Sequence, residues 1–261
     1  MDKEPRYQNH AVFGELDHYI AFYKDFAQSV YPWVTMGTKA ICGIDSYVYS
    51  SIQGTLASIR TILVDRKIND AYALLRKYYD LVIINIYSNL YLQDNFSIKN
   101  LVVEKIDNWL KGKAQLPDYR IMSQYIRSSS KVEHITALFL ADDRYKHLRQ
   151  RCNDHMHYNL FHNVFLNDGE IALPGRLYAL DKFSTDVRDV LILHLAYTFF
   201  INDHYMMSCD HRDCLECGMT PEPDSQYWVS QFVQDVFEQV VAKYRPDIAA
   251  TVKKHTSMHL E

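Results

Sequence analysis

The sequence predicts an all-α fold: an antiparallel bundle of about five long helices, with shorter helices between them and a C-terminal helical extension. Three observations carry this expectation. Apolar residues recur at three- and four-residue spacing through long windows, the mark of helices with one buried side. Glycine and proline are scarce, 8 and 7 in 261 residues, too few for the many turns of a β-sandwich. The apolar fraction of 48% supplies a sizeable core, and 20 tyrosines offer large amphipathic rings to fill gaps between helices.

The first long helix spans Gly14–Tyr31, with Leu16, Tyr19, Ile20, Tyr23, Phe26 and Ala27 recurring at helical spacing and Pro32 to end it. Ile41–Val64 is the second. It steps through Tyr47, Ser51, Thr55, Ser58 and Ile62 along one side, and small residues such as Ser50, Gly54 and Ala57 suit close approach of another helix. Asn69 is placed to cap the third, Asp70–Leu92. That helix is apolar nearly all round, through Leu74, Leu75, Leu81, Val82, Ile83 and Ile86, and so belongs in the middle of the bundle. Arg76 and Asp80, one turn apart within it, suggest a semi-buried ion pair.

Shorter pieces follow. Ser97 is placed to cap a helix through Leu110, Gly112 and Pro117 punctuate, and Ser128 to Ser130 separate two further short helices. Asp142–Leu166 reads as the fourth long helix, stopped by the turn Asn167-Asp168-Gly169, with Pro174-Gly175 a second turn. Ser184 opens the fifth, Thr185–Met207. A loop with cysteine and histidine, Ser208–Ser225, precedes an amphipathic helix, Gln226–Lys243, carrying Trp228, Phe232, Val236 and Val240, and Pro246 starts a short final helix. Residues 1–207 then form the bundle, with 208–261 a loop and helical extension packed on it.

The formal charge of −4 does not advertise a nucleic-acid binder, so any RNA contact must come from a local basic patch. Five cysteines and a polar Met1–His10 stretch suggest reduced thiols in a cytoplasm. No membrane span is expected: the most apolar stretch, Val190–Ile201, contains His194 and falls short of the roughly 20 residues a bilayer requires. It reads as a buried helix.

One segment is unusual inside this apolar pattern. Arg144, Lys146, Arg149 and Arg151 make a basic patch, and Cys152-Asn153-Asp154-His155-Met156-His157-Tyr158-Asn159 follows directly. On a helix Arg149, Asn153 and His157 stack along one face, while Arg151, His155 and Asn159 form an adjacent stripe. Asp154 is placed to hydrogen-bond the His157 imidazole and fix its tautomer. These residue types suit cleavage of a phosphodiester without a metal. An imidazole takes the proton of a ribose 2′-hydroxyl, a guanidinium stabilises charge on the phosphorane, and an asparagine orients the phosphate. The competing expectation is a solvated helix face.

The run from Arg151 through Asn153, Asp154 and His155 to His157 resembles the arginine–short spacer–histidine pattern of the HEPN superfamily (higher eukaryote and prokaryote nucleotide-binding). Leu148 to Asn159 is similar to a long-helix motif of its bacterial members, Asp70 to Asp80 resembles a core helix of related proteins, and Gly218 to Val229 resembles the tail of an uncharacterised bacterial family. The family places a polar residue directly after the arginine, whereas Cys152 stands here and Asn153 comes one later. The resemblance implies a helical bundle that homodimerises and brings two motifs to one cleft. The implied chemistry is metal-independent endoribonuclease cleavage leaving a 2′,3′-cyclic phosphate. Many members act as toxins or in antiphage defence, which would bring an antitoxin or other protein partner, and others have lost activity. Arg151 and His157 are the expected catalytic pair, Asn153 and Asp154 assist, and Arg149 is the reserve arginine. Arg144, Lys146, His155 and Asn159 are candidate substrate contacts, and His162 is a further histidine in reach.

Two alternatives stand beside a nuclease. One is a non-catalytic helical module that binds a nucleotide, RNA or protein through the basic patch. The other centres on Cys209, His211, Cys214 and Cys217, four zinc-type ligands in one short loop, although no cofactor is the simpler expectation. Cys42 and Cys152 are too isolated in sequence to assign to that loop.

Overall fold

The computed structural model describes residues 5–33, 37–41, 43–167, 175–220 and 228–260. The described chain is all-α. Its helices are α1 Pro5–Gln8, α2 Ala11–Val30, α3 Thr38–Ile41, α4 Ile44–Val64, α5 Ile68–Asn95, α6 Glu104–Leu110, α7 Tyr119–Ser128, α8 Glu133–Leu140, α9 Arg144–Met156, α10 Phe161–Leu166, α11 Gly175–Ile201 and α12 Cys209–Glu216. Then come α13 Gln231–Val236, which continues as a π-helical turn Phe237–Ala242, and α14 Pro246–His255.

The bundle is built on α2, α4, α5 and α11, of 20, 21, 28 and 27 residues. Helix α5 lies at its centre, against α4, α7, α9, α10 and α11, as its all-round apolar sequence requires. Helix α11 is the other buried axis, and Val190 to Phe199 are buried without a break. The C-terminal extension closes over one side. Phe232 meets Phe22 and Phe26, Met207 pairs with Val229, and α14 packs on α8 and α11.

The core also holds a directed polar chain. Asn85 Nδ2 donates to Asp45 at 2.8 Å, so Asn85 Oδ1 must accept from His194 Nε2 at 2.9 Å. His194 Nδ1 is then an acceptor for the Tyr23 hydroxyl at 2.7 Å, which in turn accepts from Tyr78 at 2.8 Å. The chain ends on a buried carboxylate neutralised by Lys39 at 3.3 Å and held also by Asn89 and Tyr205. Burial pushes the His194 imidazole down to about 3, so it is neutral, as its role of single donor and single acceptor demands.

Several sequence expectations are corrected. Asn69 is not a cap: α5 begins at Ile68, and the Asn69 side chain reaches out to Asn163 and His155. The small residues of α4 do not receive a helix. Ser50, Ser51, Gly54 and Ser58 face solvent, and the buried side runs through Val48, Ile52, Leu56, Ile59 and Leu63. Ser97 closes a turn with Asn100, and the helix after it starts only at Glu104. Ser184 sits inside α11, bonded to Glu15, because the helix already begins at Gly175 and ends at Ile201. The segment after Ser208 is partly helical. The longest departure is the predicted helix Asp142–Leu166, which breaks after Met156. The turn at Asp168-Gly169, Pro174, Cys42, and residues 221–227 of the tail lie outside the described residues.

Candidate functional site

Helix α9 is short and polar, and it docks on the bundle through Tyr145, Leu148, Cys152 and His155. Their three- and four-residue spacing gives a narrow apolar stripe that packs on α5. The Cys152 thiol is buried, which pushes its pKa up to about 12 and makes it an inert packing group. The helix ends at His157 with Tyr158 in the left-handed region, φ 51°. Asn159 N–H donates to the Asp154 carbonyl at 3.0 Å, the long-range bond of a Schellman ending in which glycine usually occupies the Tyr158 position. Asp154 therefore does not orient His157. Its carboxylate accepts from Gln150 at 2.8 Å and Asn159 at 3.0 Å, tying the helix end to the turn that follows.

The two predicted stripes have opposite fates. On the inner one, Arg151 forms a two-pronged ion pair with Asp186 of α11, with Nε 2.8 Å from Oδ2 and Nη2 on Oδ1. Asp186 is fully buried and also accepts from the Tyr72 hydroxyl at 3.2 Å. These hydrogen bonds hold Arg151 still more firmly protonated. His155 lies flat on Tyr72, ring centroids 3.9 Å apart, and Nδ1 meets Asn69 Oδ1 at 2.7 Å. Since Asn69 Nδ2 donates to the Asn163 carbonyl, Oδ1 is the acceptor and His155 Nδ1 carries the proton. Burial, assisted by His162, lowers the His155 pKa to about 4. A neutral, stacked, buried imidazole is not a surface contact for substrate, so His155 joins Arg151 in fastening α9 to α5 and α11. Arg144 is likewise engaged, 3.0 Å from Asp189, and Asn159 is turned to Asp154.

The outer stripe is open. Arg149 and Asn153 line a cleft of about 470 Å³ between α9, α7 and α8, floored by Tyr79, Tyr145 and Tyr197. Arg149 lies over the Tyr119 ring, 3.3 Å from its centroid, and Nη1 is 3.4 Å from Asp80. Arg76 connects the same groups from behind, with Nη1 2.7 Å from Asn153 Oδ1 and Nε 2.9 Å from Asp80. The expected Arg76–Asp80 pair is thus present, and it is tied to the cleft wall. Lys146 is exposed on the rim, 3.6 Å from Asp143. One turn beyond Asn153, His157 is exposed, and its ring makes no hydrogen bond among the described residues. The structure therefore separates Arg151 from the cleft that Arg149 and Asn153 line, and His157, at the end of α9, lies outside that lining. Tyr119 and Arg127, which also line the cleft, come from α7 and carry no signal in the α9 sequence.

The segment Cys209–Glu216 is helical, with Ser208 accepting from His211 N–H at 3.1 Å. Within it His211 is buried against Trp228, while Cys209 and Cys217 are exposed. Among the described residues no three of His, Cys, Asp or Glu gather closely enough to hold a metal ion. Nor is any described helix long and apolar enough to cross a membrane. Comparison with protein-family models, curated proteins and solved structures gives no match to this chain.

Proposed function

We propose that this all-α protein is a metal-independent endoribonuclease, similar to the HEPN superfamily, whose working face is the Arg149–Asn153–His157 stripe. The carrying observation is that Arg149 and Asn153 line the cleft between α9, α7 and α8, while His157, one turn further on, is exposed and makes no side-chain hydrogen bond among the described residues. The chemistry assigns each a task. His157 takes the proton of a ribose 2′-hydroxyl, Arg149 stabilises the charge that builds on the phosphorane, and Asn153 holds a phosphate oxygen. Arg149 replaces Arg151 in this role, because Arg151 is already matched by a buried carboxylate.

A single stripe supplies one histidine, so a second copy is the natural source of a second acid or base. Beside His157 the chain exposes Met156, Tyr158, Leu160, Phe161, Val164 and Phe165, with Phe161 75% accessible. An apolar patch of this kind, next to the site, fits a two-fold contact that juxtaposes the two His157 side chains. Purified protein should cut RNA in EDTA and leave 2′,3′-cyclic phosphate ends. His157→Ala should lower the rate roughly 100- to 10,000-fold. Parental cutting by that variant defeats the proposal.

That no group among the described residues is bonded to the His157 ring to orient it favours a second reading, a module that binds RNA through the cleft without cleaving it. Tight, salt-sensitive RNA binding with no cleavage product selects it.

A further inference from the structure

We propose that the end of the cleft bounded by Asn153 and Arg149 is an oxyanion site presenting hydrogen-bond donors, and that Arg76 is the positioning residue that sets this polarity. The place of binding rests on the cleft reading above; the cleavage step is not needed for it.

An arginine side chain can only donate hydrogen bonds. With Arg76 Nη1 2.7 Å from Asn153 Oδ1, the amide oxygen must face Arg76. Asn153 Nδ2 is the end left without a hydrogen-bond partner among the described residues, on a residue that lines the cleft. Asp80 prevents Arg76 from swinging away, since its Oδ2 accepts from Arg76 Nε at 2.9 Å. The other oxygen of Asp80 lies 3.4 Å from Arg149 Nη1, and the Tyr119 ring supports that guanidinium from its flat side. Arg76 and Asp80 thus stand behind the lining, and Asn153 and Arg149 stand in front. Lys146, which also lines the cleft, is turned to Asp143, 3.6 Å away. The acidic cleft residues Asp142 and Asp143 are at the far end of α9, roughly 15 Å from Asn153 at 1.5 Å per residue.

This end of the cleft therefore offers an amide N–H pair and guanidinium N–H groups whose directions are set by the Arg76–Asp80 ion pair behind them. A ligand group that brings its own donors finds no match at Asn153 or Arg149. One with three or four acceptor oxygens does, and a phosphate is the chemical class that fits. Asn153 is the direct contact, and Arg76 acts only through it and Asp80.

The test is thermal melting of the full chain in inorganic phosphate against chloride at equal ionic strength. The parent should gain melting temperature with saturable phosphate dependence, as a ligand bound only to the folded state requires. Asn153→Ala should weaken the apparent phosphate affinity at least about tenfold, the worth of one charge-assisted hydrogen bond. Asn153→Asp is the sharper variant. Its carboxylate still accepts from Arg76, so melting in chloride should match or exceed the parent, while the phosphate effect disappears. Arg76→Met, which frees the amide to turn, should lower phosphate affinity severalfold without touching the lining itself. Parental phosphate dependence in Asn153→Ala and Asn153→Asp overturns the proposal, and so does a parent with no phosphate effect. An Asn153-sensitive phosphate response in a protein that never cuts RNA sinks only the nuclease reading. RNA cleavage with no such response sinks only this one.

Discussion

The two faces of α9 carry the same residue types and are put to opposite uses. The inner face sets Arg151 and His155 against a fully buried carboxylate, a stacked tyrosine and a buried amide. The outer face leaves Arg149 and Asn153 lining a cleft, partnered by Asp80, Tyr119 and Arg76, with His157 exposed one turn further on. What separates them is the environment supplied by α5 and α11. A guanidinium facing Asp186 becomes part of the packing, whereas one lying on Tyr119 keeps N–H groups for a ligand. The difference should be large when the two faces are perturbed one at a time.

The largest expected effect is at the inner ion pair. Arg151→Ala strands Asp186 without its counter-ion in the core, and uncompensated buried charges typically cost about 3–5 kcal/mol. Urea denaturation should show that loss. Next comes the pH dependence of His155. Its folded pKa of about 4 lies below the ordinary value of 6.5, so the unfolded chain binds the extra proton first. Its contribution to stability is complete above pH 6.5 and is lost as pH falls towards 4, on the order of 3 kcal/mol in all. His194 acts in the same direction over a wider window, down to about 3. His155→Gln should therefore flatten the stability profile between pH 6.5 and 4 without removing its slope entirely. A variant with the parental slope would show that His155 is not held neutral.

Smaller effects belong to the outer face and the helix end. His157→Ala should shift stability by no more than about 0.5 kcal/mol, since the ring touches little that is buried. At the turn, Tyr158 holds a left-handed conformation that costs a non-glycine residue about 1 kcal/mol. Tyr158→Gly should relieve that strain and change melting only slightly, because the exposed ring and its 3.4 Å contact to Asn167 are lost at the same time. A strong destabilisation would mean that the ring, not the backbone, secures the end of α9.

The helical pattern was readable from the sequence because apolar periodicity reports burial directly. The central position of α5 and the burial of Val190 to Phe199 followed from it. The outer stripe was legible too, as the one-turn stepping of Arg149, Asn153 and His157. The break after Met156 was not, because no glycine or proline marks it; a tyrosine takes the left-handed position, and Asp154 and Asn159 close the cap. Which of Arg149 and Arg151 is paired with a buried carboxylate was also invisible. It depends on Asp186, thirty-five positions away, and on Tyr119 from another helix. Arg76 and Asp80 were recognised only as an ion pair, since nothing in their spacing announces Asn153 as a third partner.

The most direct measurement compares Arg149→Ala with Arg151→Ala in parallel, by melting temperature and by RNA cleavage in EDTA. With an open and a locked face on one helix, Arg149→Ala melts close to the parent and loses cleavage, while Arg151→Ala loses much of its stability. Parental cleavage by a well-folded Arg149→Ala, or parental melting of Arg151→Ala, contradicts that division.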